Sequence, residues 1–217
     1  MLVLPPLSPL SPLSHPAPRA APCRRREAPG LLVVDRDHPR RAVTEGFIRR
    51  VYAEHYGAEV HHFAPQLVAL HGDGGEIVAA AGYRCAADEP LFLERYLAAP
   101  VETLLAAAGR PAPVRGRIVE VGHLAGGRAG AGRRLIGLLA PHLAGRGFHW
   151  VVGTLTEELR QLFARLGIVP LALGVADPAA LGAEAAAWGS YYDHRPRVLA
   201  GPIELALPSL ARRSLSS

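Results

Sequence analysis

The sequence contains no lysine and no asparagine, only two cysteines, and no apolar run of 18 or more residues. Each absence closes a route. A Walker phosphate loop requires Gly-Lys-Ser/Thr, so a chain without lysine cannot carry one. Cys23 and Cys85 are too few for a disulfide framework or a cysteine metal site. Cys85 falls in an apolar run and reads as a small buried hydrophobe. Nothing in the chain matches the length of a membrane-spanning helix. All 24 basic residues are arginine, in a background rich in Ala, Gly and Pro. This is the signature of a GC-rich genome, so arginine abundance by itself carries no functional weight.

The formal net charge is +5. Outside residues 31–206 stand Arg19, Arg24, Arg25, Arg26, Arg212 and Arg213 against Glu27, which accounts for the whole surplus. The body is neutral, so a nucleic-acid-binding face is not expected. In residues 1–30 the prolines break the apolar run and the arginines follow it, the reverse of a secretory signal. The expectation is a disordered Pro- and Arg-rich leader, or a start codon assigned too far upstream, on a cytoplasmic protein. One domain over 31–207 and a basic, Ser-containing tail over 208–217 complete the division.

Periodicity then gives an element order. Residues 30–36 read as a strand. A helix capped by Thr44 places Phe47, Ile48, Val51 and Tyr52 on one side and ends at Gly57. Residues 66–86 form two apolar runs split by His-Gly-Asp-Gly-Gly, a hairpin signal. Residues 91–97 and 101–109 are helical pieces, with Glu94 and Arg95 on a solvated face. A strand at 117–125 precedes a helix from Gly130 to about Arg146, with Pro141 as a candidate kink. A strand at 148–155 leads to a capping box, Thr154 with Glu157, for a helix closed by Gly167. Strands at 168–176 and near 198–207 finish the chain. This alternation predicts a mixed α/β fold with a mixed sheet and helices on both faces.

Two features carry chemistry. The first is the run from Gly126 to Arg133, with glycines at 126, 127, 130 and 132 between a strand and a helix. Such a turn lets amide groups approach an anion, and the helix dipole adds to the attraction. The spacing does not fit the dinucleotide fingerprint. Placement after a central strand favours an anion site over a plain flexible turn. The second is Glu120, set among Ile118, Val119, Val121 and Leu124. A buried carboxylate must be paired, hydrogen-bonded or protonated. It reads as a general base or as the partner of Arg84 or Arg117. His123 reads as a second base or a polar strand end, and serves the same side as Glu120 only if Gly122 marks a bulge. His55, His61, His62 and His71 lack a metal-ligand spacing, so no metal is expected. Trp188, Tyr191 and Tyr192 read as a pocket wall or a packed aromatic cluster.

The helix LRQLFARLG (159–167), ending before a strand, resembles the late segment of the GNAT acyltransferase fold. More specifically, the chain resembles the thermostable hemolysin family. The likeness runs through FAPQLVAL (63–70), AAAGYRCA (80–87), LFLERYL, IVEVGHLA (118–125), LRQLFARLG and WGSYYD (188–193), over roughly residues 43–205. Its VEVG strand is similar to that of acyl-homoserine-lactone synthases. Two departures stand out. The acyltransferase pyrophosphate motif begins with Gln or Arg, but Gly127 holds that position and Arg128 lies one residue late. Family members usually carry Asn where His123 stands.

The resemblance implies acyl transfer from a thioester to an amine, with a fourth and fifth strand splayed apart to admit the donor. It implies Glu120 and His123 at the reaction. Val121, Gly122, Leu124, Gly126, Gly127, Arg128, Gly130, Gly132 and Arg133 would bind the donor, acyl-CoA or acyl-carrier protein. Tyr83, Arg84, Thr154, Trp188 and Tyr192 are placed on the substrate pocket. No permanently bound cofactor is implied. The alternatives are a membrane-active cytolysin and a catalytically silent acyl-ligand-binding relative.

Overall fold

The computed structural model describes residues 30–109 and 112–214; the expected leader, Gly30 excepted, and Cys23 lie outside them. The β-branched and leucine runs form seven strands in the order β1-β2-β3-β4-β5-β7-β6. They are β1 (Leu31–Val34), β2 (Gln66–His71), β3 (Ile77–Cys85), β4 (Ile118–Gly126), β5 (Trp150–Leu155), β6 (Leu171–Val175) and β7 (Arg197–Pro202). All neighbours pair antiparallel except β4 and β5. The expected mixed sheet is therefore present.

Among the described residues five α-helices accompany it: α1 (Arg41–Tyr56), α2 (Val101–Ala107), α3 (Ala131–Gly145), α4 (Glu157–Arg165) and α5 (Ile203–Ser214). Short 3-10 segments lie at Phe92–Tyr96, Arg115–Arg117, Pro178–Trp188 and Tyr191–His194. Helices cover both faces. On one side Leu135, Leu139 and Leu143 of α3 and Ile203 of α5 pack on Leu31, Val68 and Val119. On the other, Phe47, Ile48 and Tyr52 of α1 pack on Leu67, Ala80 and Ala125. Beside them Leu91, Leu93, Val101 and Leu105 cover Ile118, Val152 and Val198. Each fully buried Leu, Ile or Val contributes about 1.5–3 kcal/mol, so these layers hold the sheet.

Three local expectations are corrected. Thr44 does not cap α1, which begins three residues earlier; its hydroxyl donates to the Arg40 carbonyl at 2.9 Å from inside the first turn. Thr154 does not cap α4. It belongs to β5, whose ladder to β7 runs through Leu155↔Arg197, and Thr156 is the cap, accepting from the Leu159 amide. The final strand stops at Pro202, and α5 carries the chain on to Ser214, past the expected boundary at 207. Leu210 of α5 packs against Ile136 and Leu166. The chain from Ile203 on satisfies helical spacing better than strand alternation, because Ile203 and Leu210 fall on one side. As for Pro141, α3 continues through it to Gly145.

The central irregularity lies between β4 and β5. Only three residue pairs join them: Ile118↔Trp150, Val119↔Val151 and Glu120↔Val152. β4 stays on β3 to Gly126, and β5 stays on β7 to Leu155. Beyond Glu120 and Val152 the fourth and fifth strands splay, as expected. His123 explains the opening. His123 takes a left-handed conformation (φ 53°), and the β3–β4 register shifts there. The extra residue bends β4, as bulges do. At the apex of the wedge the two strands still run close, and Gly153 permits it: a Cβ there would sit 2.8 Å from the Val121 carbonyl oxygen.

Candidate active site

The splay opens into a cavity of about 560 Å³ that reaches both faces of the sheet. Its walls differ sharply. Toward α3, α4 and α5 they are hydrocarbon: Ile136, Leu139, Leu143, Phe163, Ile203 and Leu210. Toward α1 they are polar and aromatic: Arg84, Glu120, His123, Tyr56, Tyr96 and Trp188.

Glu120 is 7% exposed. The first amides of the Phe92–Tyr96 turn hold its carboxylate: Phe92 N–H donates to Oε2 at 2.8 Å and Leu93 N–H to Oε1 at 3.1 Å. Arg84 Nε stands 3.3 Å from Oε2. Of the two expected partners Arg84 is the one used; Arg117 donates instead to the Gly147 carbonyl. Burial pushes the Glu120 carboxyl above its ordinary value, against the pull of Arg84 and the two amides. Among the described residues Oε1 accepts from the Leu93 amide alone, which leaves one lone-pair direction open. Arg84 is itself shared with Glu89, at 3.2 Å.

The bulge brings His123 to the side of Glu120, which an unbroken strand would not do. Its ring lies 5.3 Å from the Phe63 ring, centre to centre. Nδ1 is sealed from solvent and has no hydrogen-bond partner. Burial lowers the His123 pKa to about 4, Arg84 adding to the effect and the His62 backbone opposing it. The ring is neutral near pH 7. Nδ1 is turned toward β3, where a Cβ on Gly82 would stand 3.0 Å from it, and not toward the cavity.

The other expected pocket residues divide. Val121, Gly122, Leu124, Arg84, Thr154 and Trp188 line the cavity. Tyr83 does not: it is 2% exposed on the α3 side, with its hydroxyl 3.2 Å from His142 Nε2. Alternation along β3 turns it away from its neighbour Arg84. Tyr192 stands behind the wall, its hydroxyl 2.7 Å from that of Tyr96. Glu94 is no solvated surface group either. It accepts from the amides of Leu91 and Val101 and pairs with Arg115 at 2.8 Å. These contacts fix the turn that carries Phe92 and Tyr96, two wall residues the sequence reading passed over.

Gly126, Gly127, Arg128, Gly130, Gly132 and Arg133 do not line the cavity; they form the turn from its β4 wall to its α3 wall. Several polar groups there are engaged. Gly127 N–H donates to the Val78 carbonyl, Ala131 N–H to the Arg128 carbonyl, and Arg128 lies 3.6 Å from Glu76. The amides of Gly132 and Arg133 have no backbone acceptor among the described residues. Gly126 packs close to them: a Cβ on it would stand 3.5 Å from the Gly132 nitrogen. The open donors are therefore at the start of α3. Among the described residues no group of His, Cys, Asp and Glu could hold a metal ion.

The thermostable hemolysin family model matches residues 34–207. The chain belongs to this family. No curated protein matches it in sequence. The fold of this hemolysin-family chain is similar to that of TofI in an apo form, with a TM-score of 0.59 at 18% identity, covering 83% of this chain and 95% of that one. It is also similar to BjaI, a CoA-dependent acyl-homoserine lactone synthase solved with SAM and isopentyl-CoA (TM-score 0.58, 14% identity, 85% and 88% covered). A third is FeeM, an N-acyl amino acid synthase from uncultured soil microbes (TM-score 0.53, 13% identity, 82% and 98% covered). At these identities the likeness establishes the fold, and it agrees with the similarity read from the VEVG strand. No helix among the described residues of the hemolysin-family chain is long and apolar enough to cross a membrane.

Proposed function

We propose that this hemolysin-family chain is an N-acyltransferase that moves an acyl group from an acyl thioester, acyl-CoA or acyl-carrier protein, to an amine. The observation that carries the reading is the two-sided cavity: a hydrocarbon arm on the α3–α5 side meets a polar arm on the α1 side where β4 and β5 part. An acyl chain fits the first arm by apolar burial. The thioester carbonyl then lies in the gap, where backbone N–H groups of Val121–Leu124 polarise it as charge develops on its oxygen. The free amides that open α3, with Arg133, bind the donor's phosphates outside the cavity.

The amine enters from the α1 side. The His123 ring lines its path, and the amine's lone pair is aimed at the carbonyl carbon. The C–N bond forms, and Glu120 takes the proton released by nitrogen, directly at Oε1 or through one water. The C–S bond then breaks, and the leaving sulfur is protonated to the free thiol. Arg84 keeps Glu120 in place and favours its charged form against the cost of burial.

The test is a melting series with CoA, acyl-CoAs from acetyl to hexadecanoyl, and acyl-carrier protein, followed by thiol release on addition of amines. Stabilisation by an acyl thioester and amine-dependent thiol release are expected. Absence of both, with dye release from liposomes, would assign the chain to membrane lysis instead. Stabilisation without thiol release would make it a silent acyl-ligand binder.

A further inference from the structure

Beside the polar arm lies a second hollow of about 410 Å³, and His61 and His62 line both. Its remaining walls are Arg36, Arg41, Arg49, Glu45 and Phe63. Three guanidinium groups thus face one carboxylate. Glu45 is shared: Arg41 Nε donates to its Oε1 at 2.7 Å and Arg49 Nη2 to its Oε2 at 3.3 Å. Backbone carbonyls pin the same two arginines, Arg41 through Ala64 and Pro65, Arg49 through Val60. The pair is a rigid, cationic frame with one positive charge left over. Arg36, with its side chain 67% exposed, adds a second cation at the rim and is drawn only weakly, at 3.8 Å, by Glu89.

The hollow is adjacent to the reacting groups. The Arg49 guanidinium sits 4.7 Å from the centre of the Phe63 ring, and the His123 ring 5.3 Å from the same centre. Phe63 stands between them, and His61 and His62, walls of both spaces, join the hollow to the cavity that His123 lines. Fixed guanidinium groups select carboxylates, because their planar donors match two oxygens at once.

We infer that the acceptor amine also carries an acidic group, of the size of an amino acid, and that this hollow holds the acid while the amine stands in the adjoining cavity beside Glu120. The inference rests on the acyl-transfer reading and names its acceptor class. The acid fixes the orientation of the amine; it takes no part in bond making.

The test compares three acceptor pools in the thiol-release assay with the same acyl-CoAs: the natural L-amino acids, their methyl esters, and the amines lacking the carboxylate. Thiol release is expected from the amino-acid pool alone. For the best acceptor, Arg36→Gln and Arg49→Gln should each raise KM tenfold or more, with kcat and the KM for thioester within twofold. Melting temperatures report whether either variant has lost its fold; Arg36→Gln, at an exposed side chain, keeps the test open if Arg49→Gln fails to fold. Esters or plain amines that match the amino acids would overturn the acid-binding hollow and leave acyl transfer standing. Acyl-CoA that stabilises the protein without any pool releasing thiol would overturn it too, with donor binding intact.

Discussion

His123 gives the sharpest quantitative test, because its enclosure must appear in the stability of the whole protein. Its pKa is about 4 in the folded chain against an ordinary 6.5. A group with a depressed folded pKa binds fewer protons in the native state, so stability is full above pH 6.5 and is lost as pH falls toward 4. The complete interval is worth about 3 kcal/mol, and lowering pH from 7.5 to 5 removes about 2 kcal/mol of it. The comparison is with His123→Asn, since asparagine tolerates the left-handed backbone that this position requires. Urea unfolding followed by the fluorescence of Trp150 and Trp188 supplies both curves. His71 and His142 are also depressed by burial, but they are common to both proteins and cancel in the difference. Wild type should lose about 2 kcal/mol more than the variant between the two pH values. Parallel losses would mean that the ring titrates as a solvated imidazole, and its enclosure would be refuted.

Glu120→Gln should lower acyl transfer by roughly 10²- to 10⁴-fold, the usual contribution of a positioned base, while the KM for thioester stays within a few-fold. An unchanged kcat at equal stability would remove Glu120 from the reaction. Gly153→Val drives carbon into the apex of the wedge and should cost about 1–3 kcal/mol in denaturant unfolding while abolishing stabilisation by acyl-CoA. Retained acyl-CoA binding would place the donor elsewhere. Tyr83→Phe removes a hydroxyl contact to His142 on the far side of the sheet; about 1 kcal/mol of stability should go, with kcat untouched. A large fall in kcat would return Tyr83 to the pocket.

The order of strands and the anomaly at Glu120 were legible because a charge inside an apolar run forces a question about its partner. The run itself narrowed the answer to Arg84 or Arg117, and packing chose between them. The bulge was legible only as a condition attached to Gly122. Nothing in the letters assigns a positive φ to a histidine, since that conformation is imposed by β3 and by the ring's packing on Phe63. Local rules failed wherever a ladder overruled them: Thr154 has the spacing of a cap, yet its backbone is committed to β7. The alternation Ile203-Glu204-Leu205-Ala206-Leu207 imitates a strand, and Leu210 one turn later reveals the helix. Phe92 and Tyr96 escaped notice because the Glu94–Arg115 contact that anchors their turn spans distant residues. The acid-binding hollow is nonlocal in the same way, assembled from β1's exit, α1 and the connector before β2.

The brevity of the β4–β5 ladder also has a mechanical meaning. Four strands form one plate and three form another, and a seam of only three residue pairs stitches them. Few backbone bonds resist a change of angle between the plates, so amide exchange should be fastest at the seam's open end. A guest lodged across it acts as a rivet, and its effect on rigidity should exceed what its small contact area suggests.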